Sequence, residues 1–214
     1  MVAIGLGFAS GFALSKLLIP RYYQARTFRR LFGHLVQRYL ELSRRLSEPR
    51  TDGGNAGDLW NLGEALAAVD VSDAAVRARI KQACDRLPRR TWRAGLVHGD
   101  LTVNNVIVQA DKRMILVDWE NASRTGLAAL DLLRLLYDMW VDARNMKPAT
   151  RATLRNDARQ IVRDALTPLG IRPDDYADLE ALFLAHQWHF TSSRNATDAE
   201  MLLEAYHGRE FALA

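Results

Sequence analysis

The feature that most constrains this chain is a pair of short apolar runs joined by a polar turn. The runs cover 106–108 and 115–117, and the turn between them contains Asp111, Lys112 and Arg113. Short apolar runs on either side of a polar turn predict a β-hairpin. A hairpin reverses the chain, so the residues after its second strand lie near the residues before its first.

Two carboxylates and one amide stand at the open end of this hairpin. The run His98-Gly99-Asp100 and then Asn105 precede the first strand, and Asp118 follows the second. Asp and Asn are also common turn and cap residues, but their joint spacing favours a shared site. In phosphoryl transfer one carboxylate orients and deprotonates a hydroxyl, while a second carboxylate and an amide oxygen hold Mg²⁺ against the phosphates.

The spacing resembles the catalytic segment of the aminoglycoside phosphotransferase and choline kinase-like family, the small-molecule relatives of protein kinases. Its members carry His-Gly-Asp, an Asn after four further residues, and a hydrophobic strand that ends in Asp-Trp-Glu. The matching residues here are His98, Gly99, Asp100, Asn105, Asp118, Trp119 and Glu120. The resemblance implies that Asp100 is the catalytic base and that Asn105 and Asp118 hold the metal and its nucleotide. It also implies that His98 supports the loop.

Two neighbouring features qualify the resemblance. Asp131 lies early in an apolar helical run, where the family has an Asp that braces the catalytic loop. An acidic residue near a helix N-terminus is also favoured by the helix dipole alone, so both interpretations stay open. Many family members have His-Pro-Gly before the Asn, whereas this chain has Thr102, Val103 and Asn104.

Outside the segment 94–119, helical periodicity dominates the sequence. Predicted helices cover 24–47, 59–69, 73–86, 127–145, 149–166, 174–190 and 197–207. The predicted fold class is therefore α+β and mostly α. It resembles a protein-kinase-like C-terminal lobe, with a small β-hairpin beside the catalytic loop and without an N-terminal β-lobe.

The missing β-lobe is an expectation from the lysines. Kinases of this group have a strand lysine on the α/β-phosphates, beneath a covering loop. Here only Lys16 lies upstream, and it follows Gly5, Gly7 and Gly11 too closely for two intervening strands. We therefore interpret 21–214 as an isolated C-lobe whose N-terminal lobe is separate or missing.

Residues 1–20 form an apolar N-terminal segment with two interpretations. The favoured one is an inter-lobe linker, and the other is a membrane anchor over 2–19, which is of borderline length for a span. The predicted helix near 24–47 is rich in arginine and amphipathic, which is typical of a solvated face but also suits anionic lipid heads. The expected location is cytoplasmic, with the cytoplasmic face of a membrane as the alternative.

Composition and motifs exclude several other classes. The net charge is +4, but no nucleic-acid-binding motif accompanies it, so no nucleic-acid partner is expected. The single cysteine, Cys84, excludes an internal disulfide and lies on a helical apolar stripe, so it is interpreted as a packing residue. His186 and His189 lack an evident third ligand for a metal.

Two functions stay open at this point. The first is a phosphotransferase that uses Mg²⁺ and ATP, or another nucleoside triphosphate, to phosphorylate a small-molecule hydroxyl. The second is a non-catalytic kinase-like binding module. Whether this chain alone transfers phosphate is left open, as is the acceptor. Glu180, Trp188 and His189 are candidates for a substrate wall, with an ordinary helical role favoured for each.

Overall fold

The computed structural model describes residues 12–14, 24–46, 62–93, 95–111, 113–192 and 196–213. Within these ranges the helices are α1 Ala25–Leu46, α2 Ala74–Arg86, α3 Ala128–Ala143, α4 Pro148–Leu166, α5 Tyr176–Ser192 and α6 Ala196–His207. The strands are β1 Phe12–Ala13, β2 Gly95–Val97, β3 Val106–Val108, β4 Met114–Leu116 and β5 Ser123–Gly126. Residues 62–67 are also helical, and short 3₁₀ turns cover Leu87–Arg89, Val103–Asn105, Thr167–Leu169 and Pro173–Asp175.

Local sequence signals explain where several of these helices begin and end. The Asp73 carboxylate accepts hydrogen bonds from the backbone N–H groups of Ala75 and Val76, which caps the start of α2. Pro148 occupies the first turn of α4, where its missing N–H leaves no intrahelical bond unmade. Gly170 has a φ of 80° and ends the 3₁₀ turn that follows α4, a conformation that glycine adopts without strain.

The core lies around α3, which packs against α4 on one side and α5 on the other. Helix α1 packs on α4, α2 packs on α5, and α5 packs on α6. Leu132, Leu133 and Leu135 of α3 are fully buried. A helix buried on most of its circumference is a core element, so its buried Asp131 needs internal hydrogen-bond partners.

The strands of the described residues form two small antiparallel sheets. In the first, the β3–β4 hairpin is joined by β1, so that the strand order is β1-β3-β4. Phe12 pairs with Val108, and the backbone N–H of Leu14 donates to Val106 O at 2.8 Å. In the second sheet, β2 pairs with β5, with Gly95 opposite Gly126. This second sheet places the end of β2 over the start of α3.

The predicted fold class is confirmed: the described residues are mostly helical, and a hairpin spans 106–116. No N-terminal β-lobe is present among the described residues. Strands β1 and β5 were not predicted. Most of the apolar segment 2–19 lies outside the described residues, but residues 13 and 14 belong to the domain, where Leu14 is fully buried.

No helix in the described part of the chain is long and apolar enough to cross a membrane. The basic face of α1 is partly neutralised within the fold itself. Arg29 pairs with Asp157 of α4, and Arg38 and Arg45 both pair with Glu41 on their own helix. Exposed pairs of this kind contribute little to stability. They do reduce the net positive charge with which this face of α1 could bind anionic lipids.

Candidate active site

A buried carboxylate on α3 holds the backbone of the His98-Gly99-Asp100 segment. Asp131 is 2% exposed. Its Oδ2 accepts from His98 N at 2.7 Å, and its Oδ1 accepts from Gly99 N at 3.0 Å. The phenol of Tyr39, on α1, also donates to Asp131 Oδ2. Three elements of the fold therefore meet at one carboxylate directly beneath the loop.

The Tyr39 phenol stays protonated in this contact. Burial, and after it the neighbouring Asp131 carboxylate, raises the pKa of Tyr39 well above its ordinary value. The phenol therefore keeps its proton and remains a donor at neutral pH. Burial also raises the pKa of Asp131 above its ordinary value, while the hydrogen bonds from Tyr39 and from the His98 and Gly99 N–H groups oppose this shift.

The backbone at Gly99 requires a glycine. Its φ is 83°, and a Cβ at this position would lie 2.2 Å from the carbonyl oxygen of Asn121. A side chain would therefore be strained by the backbone and would also collide with the turn after the hairpin. The glycine lets this turn approach the loop directly.

Two further residues of α3 reach the same loop. Arg134 Nε donates to Asp100 Oδ1 at 3.0 Å, and Asp138 Oδ2 accepts from Val103 N at 3.0 Å. Asp131, Arg134 and Asp138 stand at positions i, i+3 and i+7, which lie on one face of a helix. One helical stripe thus fixes the start, the middle and the end of the loop.

The hairpin brings its second end back beside the first. Asn105 Nδ2 donates to the backbone carbonyl of Asp100 at 3.0 Å, and Val117 N donates to Asn105 O at 3.0 Å. The His98 ring is fully buried, with Nε2 2.9 Å from Val117 O. A carbonyl only accepts, so Nε2 carries the proton. Asp118, the next residue along, is therefore attached directly to this cluster.

Asp118 is held in an unusual conformation. Its φ is 65°, in the left-handed region that non-glycine residues rarely adopt. Its side chain is exposed, and among the described residues none pairs with its carboxylate. Strained backbone of this kind is concentrated at functional sites, where the surrounding structure enforces it. The fold thus holds Asp118 in this conformation directly after Val117, whose N–H bonds Asn105 O, and leaves its side chain exposed.

The structure thus brings Asp100, Asn105 and the backbone of Asp118 to one place, with His98 and Asp131 beneath them. Within the described part of the chain, no group of three or more His, Cys, Asp or Glu side chains forms a metal site. A site made of one amide and one carboxylate, completed by phosphates, is the arrangement that Mg²⁺ commonly adopts.

Sequence reasoning missed the roles of Arg134 and Asp138 at this loop. The available signal was their spacing after Asp131 on an otherwise apolar helix. The residues considered for a substrate wall are internal instead: Glu180 Oε1 accepts from Leu213 N at 2.7 Å, and Trp188 Nε1 donates to Asp70 O at 3.0 Å. The side chain of His189 lies outside the described residues.

Replacing Asp118 with glycine should stabilise the fold. Glycine adopts a positive φ without strain, so we expect the free energy of unfolding to rise by about 0.5–1 kcal/mol. Urea unfolding measures this change. Arg209→Gly is the matched control, because Arg209 also has a positive φ, of 55°. If Arg209→Gly stabilises the protein and Asp118→Gly destabilises it, the Asp118 backbone is not strained.

Asp138 should make stability depend on pH. Burial raises its pKa to about 6, while Arg134 and the Val103 N–H oppose the shift and Asp142 and Asp100 add to it. Between pH 4 and 6 the folded protein therefore holds a proton that the unfolded chain has released. This contribution is present in full below about pH 4 and is lost as the pH rises through about 6, a fall of about 2–3 kcal/mol.

The variant Asp138→Asn isolates this effect, because its amide oxygen still accepts from Val103 N and its charge does not change. Urea unfolding at pH 4.5 and pH 7 should show a smaller fall in stability for the variant than for the wild-type protein. Carboxylates that do not interact with Asp138 titrate equally in both proteins, so the difference reports Asp138 and its coupling to Asp100 and Asp142. Identical pH dependence in the two proteins would show that Asp138 keeps an ordinary pKa.

Comparison with known proteins agrees with this geometry. A sequence profile of the phosphotransferase enzyme family (APH) matches residues 25–169, which is more than half of the chain. The chain belongs to this phosphotransferase family. The matched range includes α1, the catalytic-type loop, the hairpin and α3, and therefore all of the residues described above. No protein with a curated description matches the sequence significantly.

Solved structures share the fold of this phosphotransferase-family chain. A glucosamine kinase in complex with glucosamine, ADP and inorganic phosphate aligns with a TM-score of 0.53 at 18% identity, covering 90% of this chain and 57% of the kinase. The amicoumacin kinase hAmiN, in complex with AMP-PNP, Ca²⁺ and Ami, aligns with a TM-score of 0.54 at 14% identity, covering 95% and 62%. The chain thus spans less than two thirds of the length of either kinase.

Proposed function

We propose that this chain carries the transfer site of a phosphotransferase that uses Mg²⁺ and ATP, or another nucleoside triphosphate, to phosphorylate a small-molecule hydroxyl. In this proposal Asp100 is the catalytic base, and Asn105 and Asp118 hold the metal and its nucleotide. His98 and Asp131 support the loop. The observation that carries the proposal is the closure of the hairpin, in which Val117 N bonds Asn105 O and sets Asp118 beside the loop.

The donor set suits a hard cation. Asn105 uses its Nδ2 on the Asp100 carbonyl, so its Oδ1 is the atom left to bind a ligand. The exposed Asp118 carboxylate supplies a negative charge next to it. Carboxylate and amide oxygens are preferred Mg²⁺ ligands. When bound, Mg²⁺ neutralises charge on the phosphates of the nucleotide.

The chain's own residues would then act on the acceptor. The acceptor hydroxyl lies against the Asp100 carboxylate, which orients its oxygen toward the γ-phosphorus. That oxygen forms a bond to the γ-phosphorus while the bond from the γ-phosphorus to the bridging oxygen breaks. The hydroxyl proton passes to Asp100, and the nucleoside diphosphate leaves. Most of the catalytic effect comes from this positioning.

The acceptor class is an alcohol of small-molecule size. A glucosamine kinase of this fold binds glucosamine, and an amino sugar is therefore the first acceptor to test. We also propose that an N-terminal lobe, on the same chain or another, completes the nucleotide site. The expected location is the cytoplasm, where nucleoside triphosphates are abundant, and membrane association through 2–19 and α1 remains the alternative proposal.

A non-catalytic binding module is the second candidate, and the lysines favour it. Lys81 pairs with Asp85 on its own helix, and Lys147 is exposed at the start of α4. Neither of these two described lysines is therefore assigned to the phosphates of a nucleotide. A module of this kind would bind a nucleotide or a partner without turnover.

The variant Asp118→Asn distinguishes the two functions. With Mg·ATP and either glucosamine or water as the acceptor, the variant should form ADP at least about 10²-fold more slowly than the wild-type chain. Asp111→Asn is the control, because it removes a carboxylate from the far end of the same hairpin. Wild-type turnover by Asp118→Asn would contradict the phosphotransferase proposal. Binding of Mg·ATP without any wild-type turnover would support the binding module.

A further inference from the structure

Arg134 is placed to control the side chain of Asp100. Its Nε lies 3.0 Å from Asp100 Oδ1, and the Arg134 and Asp100 side chains are 19% and 31% exposed. The other hydrogen bonds described for the loop involve its backbone or the side chains of His98, Thr102 and Asn105. Among the described residues, Arg134 is the one whose hydrogen bond reaches the carboxylate that the proposed chemistry would use.

The guanidinium of Arg134 is itself held in place. It lies over the ring of Tyr137, with 5.7 Å between its Cζ and the ring centroid. That ring is buried and packs edge-on against Phe211. Asp138, one turn further along α3, adds an opposite charge nearby. An arginine that lies on an aromatic face, with an opposite charge nearby, loses little further freedom when it binds a carboxylate.

We propose that Arg134 is a positioning residue: it binds one carboxylate oxygen of Asp100 and leaves the other for the acceptor hydroxyl. This inference rests on the proposed phosphotransferase function. A half-exposed carboxylate without a partner would sample several rotamers, and only some of them would place an oxygen against the acceptor. A carboxylate held in one rotamer already has its oxygen in place when the acceptor binds.

The charge of Arg134 has a second consequence. Asp100, Asp138 and Asp142 are close enough to interact electrostatically, and each carboxylate repels an incoming nucleotide. Arg134 is the cation that α3 places among them. It therefore lets a negatively charged base operate next to negatively charged phosphates, whose mutual repulsion would otherwise favour moving the Asp100 side chain away.

The transfer experiment compares Arg134→Met and Arg134→Lys with the wild-type full chain, using Mg·ATP with glucosamine or water as the acceptor. Arg134→Met should lower kcat by about 10²-fold, with KM for Mg·ATP changed less than about twofold. Arg134→Lys should stay at least about tenfold below wild type, because an ammonium lacks the planar fork of a guanidinium. Wild-type kcat in Arg134→Met would overturn the proposal.

Arg144→Met is the matched control. Arg144 also lies over an aromatic ring on the same helix, 5.8 Å from the Trp140 centroid, and it is exposed. Its replacement removes the same charge and a similar ring contact while leaving the loop untouched, so its kcat should equal that of the wild type. An equal loss of kcat in Arg144→Met and Arg134→Met would overturn the positioning role in favour of a general effect of charge.

A second measurement does not depend on activity. In ¹⁵N NMR spectra of the full chain, the Arg134 Nε–H signal should be sharp and slow to exchange. It should broaden and exchange faster in Asp100→Ala, and remain unchanged in Asp111→Asn. A signal indifferent to Asp100→Ala would overturn the proposed contact. If the wild-type chain transfers no phosphate without a separate N-terminal lobe, this signal alone decides whether Arg134 holds Asp100.

Discussion

Replacing Asp131 with alanine should lower the free energy of unfolding by about 3–5 kcal/mol. The variant leaves three donors without their acceptor, namely the phenol of Tyr39 and the backbone N–H groups of His98 and Gly99. Asp131 is 2% exposed, so water cannot readily replace it. A loss of this size is a large share of the total stability of an ordinary domain.

Two milder variants keep this prediction testable if the alanine variant does not fold. Tyr39→Phe removes a single donor and should cost about 1–2 kcal/mol. Asp131→Asn keeps an acceptor oxygen but turns an amide NH₂ toward a donor, and its cost should lie between the other two. Urea unfolding measures all three. A loss below 1 kcal/mol in both Asp131 variants would mean that the loop does not depend on this carboxylate.

The variant Asp100→Asn should lower kcat by about 10²–10⁴-fold while leaving the affinity for Mg·ATP nearly unchanged. The amide keeps the size of the side chain and still offers Arg134 an oxygen, but it cannot accept the hydroxyl proton. Asn105 and Asp118, which the proposal assigns to the metal and its nucleotide, are intact. The effect should therefore appear in turnover and be absent from nucleotide binding.

A control for Asp100→Asn lies on the same loop. Asn104 is exposed and has no hydrogen bond described for its side chain, so Asn104→Ala should turn over like the wild type. Steady-state kinetics with glucosamine, and calorimetry with Mg·ATP alone, separate the two quantities. Unchanged kcat in Asp100→Asn would remove Asp100 from the role of base. An equal loss of nucleotide affinity would instead make it part of the nucleotide site.

The helices and the hairpin could be predicted because their signals are local. The periodicity of α1, the Asp73 cap of α2 and Pro148 at the start of α4 each act over a few neighbouring residues. The β3–β4 hairpin is likewise closed by its own turn, in which Gln109 N donates to Arg113 O at 2.9 Å. Local patterns of this kind can be read without knowledge of the rest of the fold.

The strands that were missed depend on distant partners. Strand β5 has three exposed residues and no alternating apolar pattern, and it is defined by its pairing with β2. Strand β1 is two residues long and is defined by β3, which follows it by about ninety positions. Such pairings arise from the tertiary fold and not from the propensity of a short segment.

The site shows the same division. The spacing of Asp100, Asn105 and Asp118 could be found because one hairpin connects them. The contact between Arg134 and Asp100 joins α3 to the loop across a separate strand, β5, and no sequence motif specifies it. The sequence indicates this contact only through the polar residues Asp131, Arg134 and Asp138 on one face of a buried helix. Because a buried polar group needs a partner, such a stripe should be treated as evidence for a contact.

The assignment of Asp100, Asn105 and Asp118 to phosphoryl transfer is tested most directly by locating the binding site of a metal–nucleotide complex. Mn²⁺ replaces Mg²⁺ and broadens the NMR signals of nearby amides. With Mn·ATP added to the full chain, the amide signals of 98–105 and 117–120 should broaden selectively. This broadening should be strongly reduced in Asp118→Asn and retained in Asp111→Asn. Broadening confined to other parts of the chain, or identical broadening in wild type and Asp118→Asn, would contradict the assignment of this site to phosphoryl transfer.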